Sequence, residues 1–401
     1  MTSEVLVMNS MAVVLAADSA LTRSSSNSNL PYYSNGGNKI FSLSTAKRAN
    51  IGIMVYNSVD ICGAPWELLI KSFRHENNGK AFKTVKDCSD NFFKFISKNE
   101  TLISNEMKEK TFDQKFIDIL NYFSEKEPEN KLKDEFLSKF ETNKEIQPEL
   151  DTKQKSHVTE LIFNYSKSIE THNANKSEAE KLEALGEDFC IFIFEAHLNG
   201  DFDKVFNDYT GIVISGFGKT EEYPAYIENI CYGLRPHGLS LEQKNSLSGS
   251  SHNALIGFAQ DKMRHLLVNR RDENTFQIIM NTLKEEVFSA LGKLNIDYQV
   301  QNQIYKNFVD KSLNNLEAHV HETNINPLLD CIGAMSISEL STLAGTIVEL
   351  EALNEKLSRP SQSVGGPTDI ISITKNEGLI WIKRKHYFEK DLNPGYFKNL
   401  Q

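Results

Sequence analysis

The chain opens with two short apolar runs, Val5-Leu6-Val7-Met8 and Met11-Ala12-Val13-Val14-Leu15-Ala16-Ala17, separated by Asn9-Ser10. Both runs are continuous rather than alternating and rich in β-branched residues. That pattern predicts a hairpin buried on both faces. The stretch 22–37 is polar and turn-rich and predicts a loop. Apolar character returns with Asn38-Lys39-Ile40-Phe41, and the runs Lys39 to Leu43 and Ala49 to Tyr56 predict the next strand pair. Val55-Tyr56-Asn57-Ser58-Val59-Asp60 then leads into an amphipathic helix with Ile61, Trp66, Leu69, Ile70 and Phe73 on its apolar side.

From about Thr84 to Asn207 the pattern changes to Lys/Glu-rich helical segments, Asp90 to Ile96, Phe112 to Phe123, Leu132 to Phe140 and His157 to Ile169, followed by Phe189 to Phe194 as a helix or a strand. Their charged runs read as solvated helix faces. Strand patterning resumes at Thr210 to Gly218 and continues past Glu222, which predicts a hairpin. Gly218-Lys219-Thr220 is not the end of a P-loop: Val213 stands where the first glycine belongs, and Pro224 interrupts the helix such a loop requires. Ala254 to Leu267, Phe276 to Leu294 and Ile304 to Val320 read as long helices. Ser336 and Glu339 form a capping box for a helix carrying Leu340, Leu343, Ala344, Ile347, Leu350 and Leu353 at helical spacing. Arg359-Pro360 ends it, and Ser363 to Thr374, Gly378 to Lys383 and Arg384 to Phe388 read as closing strands.

At 401 residues the chain has length for two or three domains. A formal net charge of −10 with no basic block argues against nucleic-acid or anionic-membrane partners. Five cysteines without paired spacing read as reduced core thiols of a cytoplasmic protein rather than a disulfide frame or zinc cluster. The N-terminal apolar stretch lacks a preceding Lys or Arg, carries Glu4 and is broken by Asn9-Ser10, so it does not read as a secretory signal. No run approaches about 20 apolar residues, and no membrane span is expected. His319 and His321, two apart on a helix, point in different directions and read as a solvated pair rather than metal ligands.

The chemistry suggested by this pattern sits at the very start. Removal of Met1 leaves Thr2 with an α-amine of reference pKa roughly 8 beside its own hydroxyl. One residue then supplies both a nucleophile and the base that deprotonates it. Asp18 directly follows the second strand and Lys39 opens the third, so an anion and an ammonium flank the terminus. Lys39 would oppose protonation of the amine by like-charge repulsion and stabilise an alkoxide, with Asp18 holding it in place.

The pattern Thr-Ser…Ala-Val-Val-Leu-Ala-Ala-Asp-Ser…Asn-Lys-Ile-Phe…Ile-Gly-Ile resembles proteasome β-type subunits, which are N-terminal-nucleophile hydrolases. The resemblance implies an α+β fold, a four-layer αββα sandwich, with residues 1–83 and 208–401 as its two parts and 84–207 as a helical insertion. It implies that Thr2, Asp18 and Lys39 are catalytic, and that Tyr56 N–H supplies the oxyanion hole where the family has an Ala-Gly-Gly-x-Ala-Asp run. Leu247-Ser-Gly-Ser-Ser-His-Asn-Ala254 resembles the family's Gly-Ser-Gly-Ser element, so Ser248, with Ser250 close behind, takes the auxiliary hydroxyl; an ordinary helix N-cap is the other reading. Before Gly365-Gly366 the family places an Asp and a Ser. Here those positions are Ser361 and Val364, and the hydroxyl shifts to Ser363.

The function implied is a threonine peptidase acting on peptide or unfolded-protein substrates. It would need no metal or organic cofactor, would self-associate into rings or stacked oligomers, and would take an ATP-dependent unfoldase as a further partner. The alternatives are an assembly or interaction subunit without activity, and a small-molecule amidohydrolase of the same fold.

Overall fold

The computed structural model describes residues 3–25, 28–46, 48–126, 152–171, 187–200, 202–203, 209–235, 238–249, 253–260, 262–270, 272–293, 296–358, 364–386 and 388–393. Met1, Thr2, Ser363 and the expected helix Leu132 to Phe140 lie outside them. The protein is mixed helix and antiparallel sheet. Its strands are β1 Ser3–Met8, β2 Ala12–Ala17, β3 Leu21–Ser25, β4 Ser28–Ser34, β5 Ile40–Ala46, β6 Ala49–Asn57, β7 Asp60–Ile61, β8 Ala64–Pro65, β9 Thr210–Gly216, β10 Ala225–Arg235, β11 Gly238–Ser248, β12 Ala254–Ala259, β13 Asp369–Thr374 and β14 Gly378–Lys383. Its helices are α1 Trp66–Glu76, α2 Val85–Lys98, α3 Asn105–Lys126, α4 Thr152–Thr171, α5 Glu187–Asn199, α6 Lys262–Asn269, α7 Glu273–Gly292, α8 Tyr298–Val320, α9 Asn326–Ala334 and α10 Ile337–Ser358.

Two five-stranded sheets carry the fold, one ordered β12-β1-β2-β13-β14 and the other β11-β10-β9-β6-β5. The alternation of side chains along β1 and β2 explains why both faces of the first hairpin are apolar. Leu6, Met8, Val13 and Leu15 meet Met54, Tyr56 and Val213 of the second sheet, whereas Val5, Val7, Val14 and Ala16 meet Leu340, Ala344, Ile347 and Val348 of α10. On its other face the second sheet packs Ile51, Ile53 and Ile212 against Trp66, Ile70 and Phe73 of α1 and Phe92 of α2. Each such side chain removed from water contributes roughly 1.5–3 kcal/mol. Helices α3 and α5 gather around a separate core of Phe112, Phe116, Leu120, Ile193 and Phe194, joined by Val158 of α4.

Several local expectations give way to tertiary pairing. Residues 22–37 do not form a simple loop: β3 and β4 make a two-stranded ribbon, consistent with the β-formers Thr22, Tyr32 and Tyr33 in its sequence. The helix expected over Ala254 to Leu267 begins only at Lys262. Residues 254–259 instead pair along the whole of β1, whose outer edge would otherwise expose a row of unpaired backbone groups. Ile61 belongs to the small β7–β8 ribbon, and the amphipathic helix starts at Trp66. Phe189 to Phe194 is helical. Leu350 and Leu353 of α10 face outward, while Leu340, Ala344 and Ile347 pack inward. Past Lys383, residues 384–386 are not strand. The β9–β10 connection is a hairpin, and the buried Lys375 ammonium donates to the carbonyls of Gly218, Lys219 and Glu221 to hold its turn. The capping box forms, with Ser336 N–H donating to Glu339 Oε2 at 2.8 Å and Glu339 N–H to Ser336 Oγ at 3.4 Å. Among the described residues no helix is long and apolar enough to cross a membrane.

Candidate functional site

The hairpin β1–β2 brings Asp18 level with the start of the chain, because Glu4 pairs with Ala17 and Asp18 N–H donates to Ser3 O at 3.2 Å. The Asp18 carboxylate is 2% exposed and is the hub of the site. Its Oδ1 accepts Ser3 N–H at 3.0 Å and the Lys39 ammonium, and its Oδ2 accepts Gly365 N–H at 2.9 Å and Ala20 N–H at 3.2 Å. The Gly365 turn is docked in return by Ser19 N–H, which donates to Gly365 O at 3.1 Å. Gly366 follows at φ +76°, and a side chain there would press on Asn35. Three segments remote in sequence thus converge on one carboxylate.

Lys39 reaches this point from the start of β5, whose position is set by Val55 N–H donating to Lys39 O at 2.9 Å. Its side chain is 4% exposed and also lies 3.6 Å from Glu4 Oε1, itself fully buried. One ammonium is therefore enclosed by two carboxylates at the N-terminal end of β1. Burying charges in this way is costly unless they are paired and hydrogen-bonded, and here the Lys39 ammonium pairs with Asp18 and lies within ion-pair distance of Glu4. Glu4 is the member the sequence reading did not assign. The signal was available: within β1 it falls on the same face as Leu6 and Met8, an inward-pointing charge in an otherwise apolar strand.

Tyr56 occupies a different place from the role expected of it. Phe217 N–H donates to Asn50 O, so even-numbered residues of β6 face β9 in the ladder, and Tyr56 stands opposite Gly211. Odd-numbered Val55 bonds toward β5. The Tyr56 N–H is thereby directed into the β9 ladder and away from Lys39. The Tyr56 side chain lies between the sheets, packed on Phe258 and Tyr209, and its hydroxyl donates to Glu228 Oε1 at 2.6 Å. Burial, then the hydrogen bond to Glu228, pushes its pKa far above the usual phenol value. Asn57 follows in the left-handed region at φ +73°, a conformation Asn tolerates better than most residues, and its side-chain amide donates to Tyr209 O at 2.8 Å. Two glycines are thus not needed to turn the chain out of β6.

Ser248 is distant from the cluster. It is an exposed residue at the end of β11, level with Ala225, Gly216 and Ile51 across the sheet. Four strand spacings and the four residues from Ile51 to Val55 separate its backbone from Lys39 by about 23 Å. The segment that does reach the N-terminal end is β12, where Ala259 stands opposite Ser3 at φ +59° and Gln260 follows. Thr2 and Ser363 lie outside the described residues, so the structure brings together Asp18 and Lys39 of the expected set and adds Glu4.

Beside the cluster is a cavity of about 180 Å³ walled by Gly37, Lys39, Val55, Asn57, Ser58 and Trp66. A second cavity of about 200 Å³ adjoins it through Ser58 and is lined by Cys62, Lys115, His197, Asp203 and Arg235. In that second cavity Arg235 and Asp203 pair with each other, and burial depresses the His197 pKa to about 4. Burial raises the pKa of the Cys62 thiol.

No family model and no curated protein matches the chain. Among solved structures it is similar to the Anbu (Gly-1) mutant from Hyphomicrobium sp. strain MC1, at 9% identity over 100% of this chain and 95% of that one, with a TM-score of 0.33. Anbu, an ancestral beta-subunit, from Yersinia bercovieri matches at 9% identity over 99% and 94%, with a TM-score of 0.29. Anbu from Hyphomicrobium sp. strain MC1 matches at 10% identity over 99% and 94%, with a TM-score of 0.31. Similarity of this degree carries no residue role and no activity to this chain.

Proposed function

We propose that this protein is an N-terminal-nucleophile hydrolase of the proteasome β type, with Thr2 as nucleophile and base once Met1 is removed. The observation that supports this reading is the buried Glu4–Lys39–Asp18 cluster, with the Lys39 ammonium and Ser3 N–H on the same oxygen of Asp18. Ser3 directly follows Thr2 in the chain, and in this reading the ammonium serves the Thr2 hydroxyl. In this reading the Thr2 amine takes the hydroxyl proton, the oxygen attacks an amide carbonyl, and the amine returns the proton to the departing nitrogen; water then cleaves the Thr2 ester, releasing the acid and restoring the hydroxyl. Lys39 stabilises the alkoxide, Asp18 and Glu4 position Lys39, and the substrate side chain enters the cavity walled by Val55 and Trp66. The oxyanion forms over the strand end Asn57 to Val59 rather than at Tyr56. Ser248 has no part in it, and Ser363 would supply a hydroxyl from the turn before Gly365. We read the succession of α10, two sheets and α1–α2 as the four-layer αββα sandwich of this class, with α3, α4 and α5 as the core of a helical insertion within 84–207. Peptide or unfolded-protein substrates, ring-like self-association, an unfoldase partner and a cytoplasmic location complete the proposal.

The direction of Tyr56 N–H into the ladder favours a second reading, an assembly subunit that keeps the architecture without turnover. Intact-mass measurement and treatment with a peptide epoxyketone separate the two. The hydrolase reading expects loss of Met1 and a covalent adduct on Thr2 that disappears in Thr2→Ala. Retained Met1, or no adduct on a chain that begins at Thr2, refutes it.

A further inference from the structure

Helices α7 and α8 form an antiparallel pair that buries almost nothing of its own. Phe288 packs on Tyr298 and Tyr305, and the Tyr305 hydroxyl donates to Met280 O at 3.4 Å, so Met280, Phe288 and Tyr305 mark the seam between them. Across both helices only Gln301 is buried among the residues described. Large apolar side chains stand instead in solvent, with Ile279 51%, Ile304 42% and Phe308 47% exposed.

Their placement is regular. Ile279 precedes the seam residue Met280 by one position, and Ile304 precedes Tyr305. In an antiparallel helix pair the positions one residue before the seam turn about 100° from it, to the same side on both helices. Leu283 follows Ile279 at i+4, while Val300 and Phe308 flank Ile304 at i−4 and i+4. One face of the hairpin therefore carries Ile279, Leu283, Val300, Ile304 and Phe308 in two parallel stripes. The seam contacts set Met280 level with Tyr305, so the stripes stand side by side. A hairpin with one packed, half-buried seam and one exposed apolar face is half of a four-helix bundle.

We propose that this face is an interface between two copies of the chain, in which the hairpins pack as an antiparallel four-helix bundle about a two-fold axis parallel to the helices. The size is appropriate. Helices of 20 and 23 residues are about 30 and 35 Å long, and a two-helix face about 20 Å wide covers roughly 650 Å² per partner, or about 1,300 Å² in total. That lies within the range of specific, stable interfaces, whereas a single helix laid on the same face would leave much of it uncovered. The two-fold axis sets the α7 stripe of each copy against the α8 stripe of the other, a self-complementary arrangement. The inference is independent of the hydrolase reading and stands whether or not Thr2 is a nucleophile.

The test is the mass of the full-length chain by sedimentation velocity across a hundredfold range of concentration, for wild type and for Ile304→Asp/Phe308→Asp. Both substitutions fall on exposed positions, and the thermal transition serves as the folding control. The expected result is a two-fold drop in mass for the double variant with an unchanged transition. A second measurement uses Leu283→Cys and Ile304→Cys as separate chains, each with Cys331→Ser to remove an exposed thiol. Oxidation by a low-molecular-weight disulfide, which takes up the two electrons, should cross-link the mixture and neither chain alone. An unchanged mass in the double variant, a monomeric wild type throughout, or no cross-link in the mixture overturns the proposal.

Discussion

Truncating Asp18 to Ala removes the hub of the buried cluster while leaving its dependants in place. Three backbone N–H groups, from Ser3, Ala20 and Gly365, and the Lys39 ammonium lose their acceptor. Removing one partner of a buried ion pair ordinarily costs roughly 3–5 kcal/mol, because the other charge is left uncompensated. Glu4, 3.6 Å from the ammonium, recovers part of that, which places the expected loss near the lower limit, about 3 kcal/mol. For a chain of 401 residues with an unfolding entropy of about 2.1 cal/mol/K per residue, this corresponds to a fall in Tm of roughly 3–4 °C. Lys39→Met should be milder than Asp18→Ala, since Asp18 keeps its three backbone donors. The double variant should lose less than the sum of the two, because the unpaired ammonium has gone as well. The assay is urea unfolding followed by tryptophan fluorescence, with Trp66 buried in the core. Additive losses in the double variant, or an Asp18→Ala protein within 0.5 kcal/mol or so of wild type, would refute the hub role assigned to this carboxylate.

Two further outcomes follow from buried groups elsewhere. His197 has its pKa depressed from 6.5 to about 4, chiefly by burial, with its Nε2 3.2 Å from Phe112 O and its ring stacked on Phe112. The unfolded chain therefore takes up a proton below about pH 6.5 that the folded protein refuses until about pH 4. Stability is full above 6.5 and falls by about 3 kcal/mol as the pH drops through that window; His197→Asn should flatten the fall, measured as the urea midpoint at pH 7 and pH 5. Gly211 lies against the Tyr56 ring so closely that a methyl group there overlaps it. Gly211→Ala should cost about 3 kcal/mol or more, and Tyr56→Ala should restore part of the loss, in a thermal double-mutant cycle.

Continuous apolar runs identified the first hairpin, because a strand covered on both faces has no polar side to display. Residue type and spacing were also enough to nominate Asp18 and Lys39, since each stands at the border of a predicted strand. What no local pattern contains is the partner of each strand edge. Residues 254–259 have the spacing of a helix, and they are a strand because β1 offers an unsatisfied edge that only long-range pairing can fill. The same pairing carries Ala259 to the start of the chain, whereas Ser248 sits at the end of β11, four strands across the second sheet from β5, although a motif reading of the sequence prefers the serine. Register likewise decided that Tyr56 N–H belongs to the ladder, since a shift of one residue would have turned it the other way. Glu4 needed both kinds of information: its place in an apolar strand marked it as inward-facing, but only the convergence of β1, β2 and β5 shows that the charge it meets there is Lys39. Sequence alone thus determined which segments could be buried and which residues carried chemistry. Folding decided which came together, because the contacts that join them span hundreds of residues and are fixed by edges and faces rather than by neighbours in the chain.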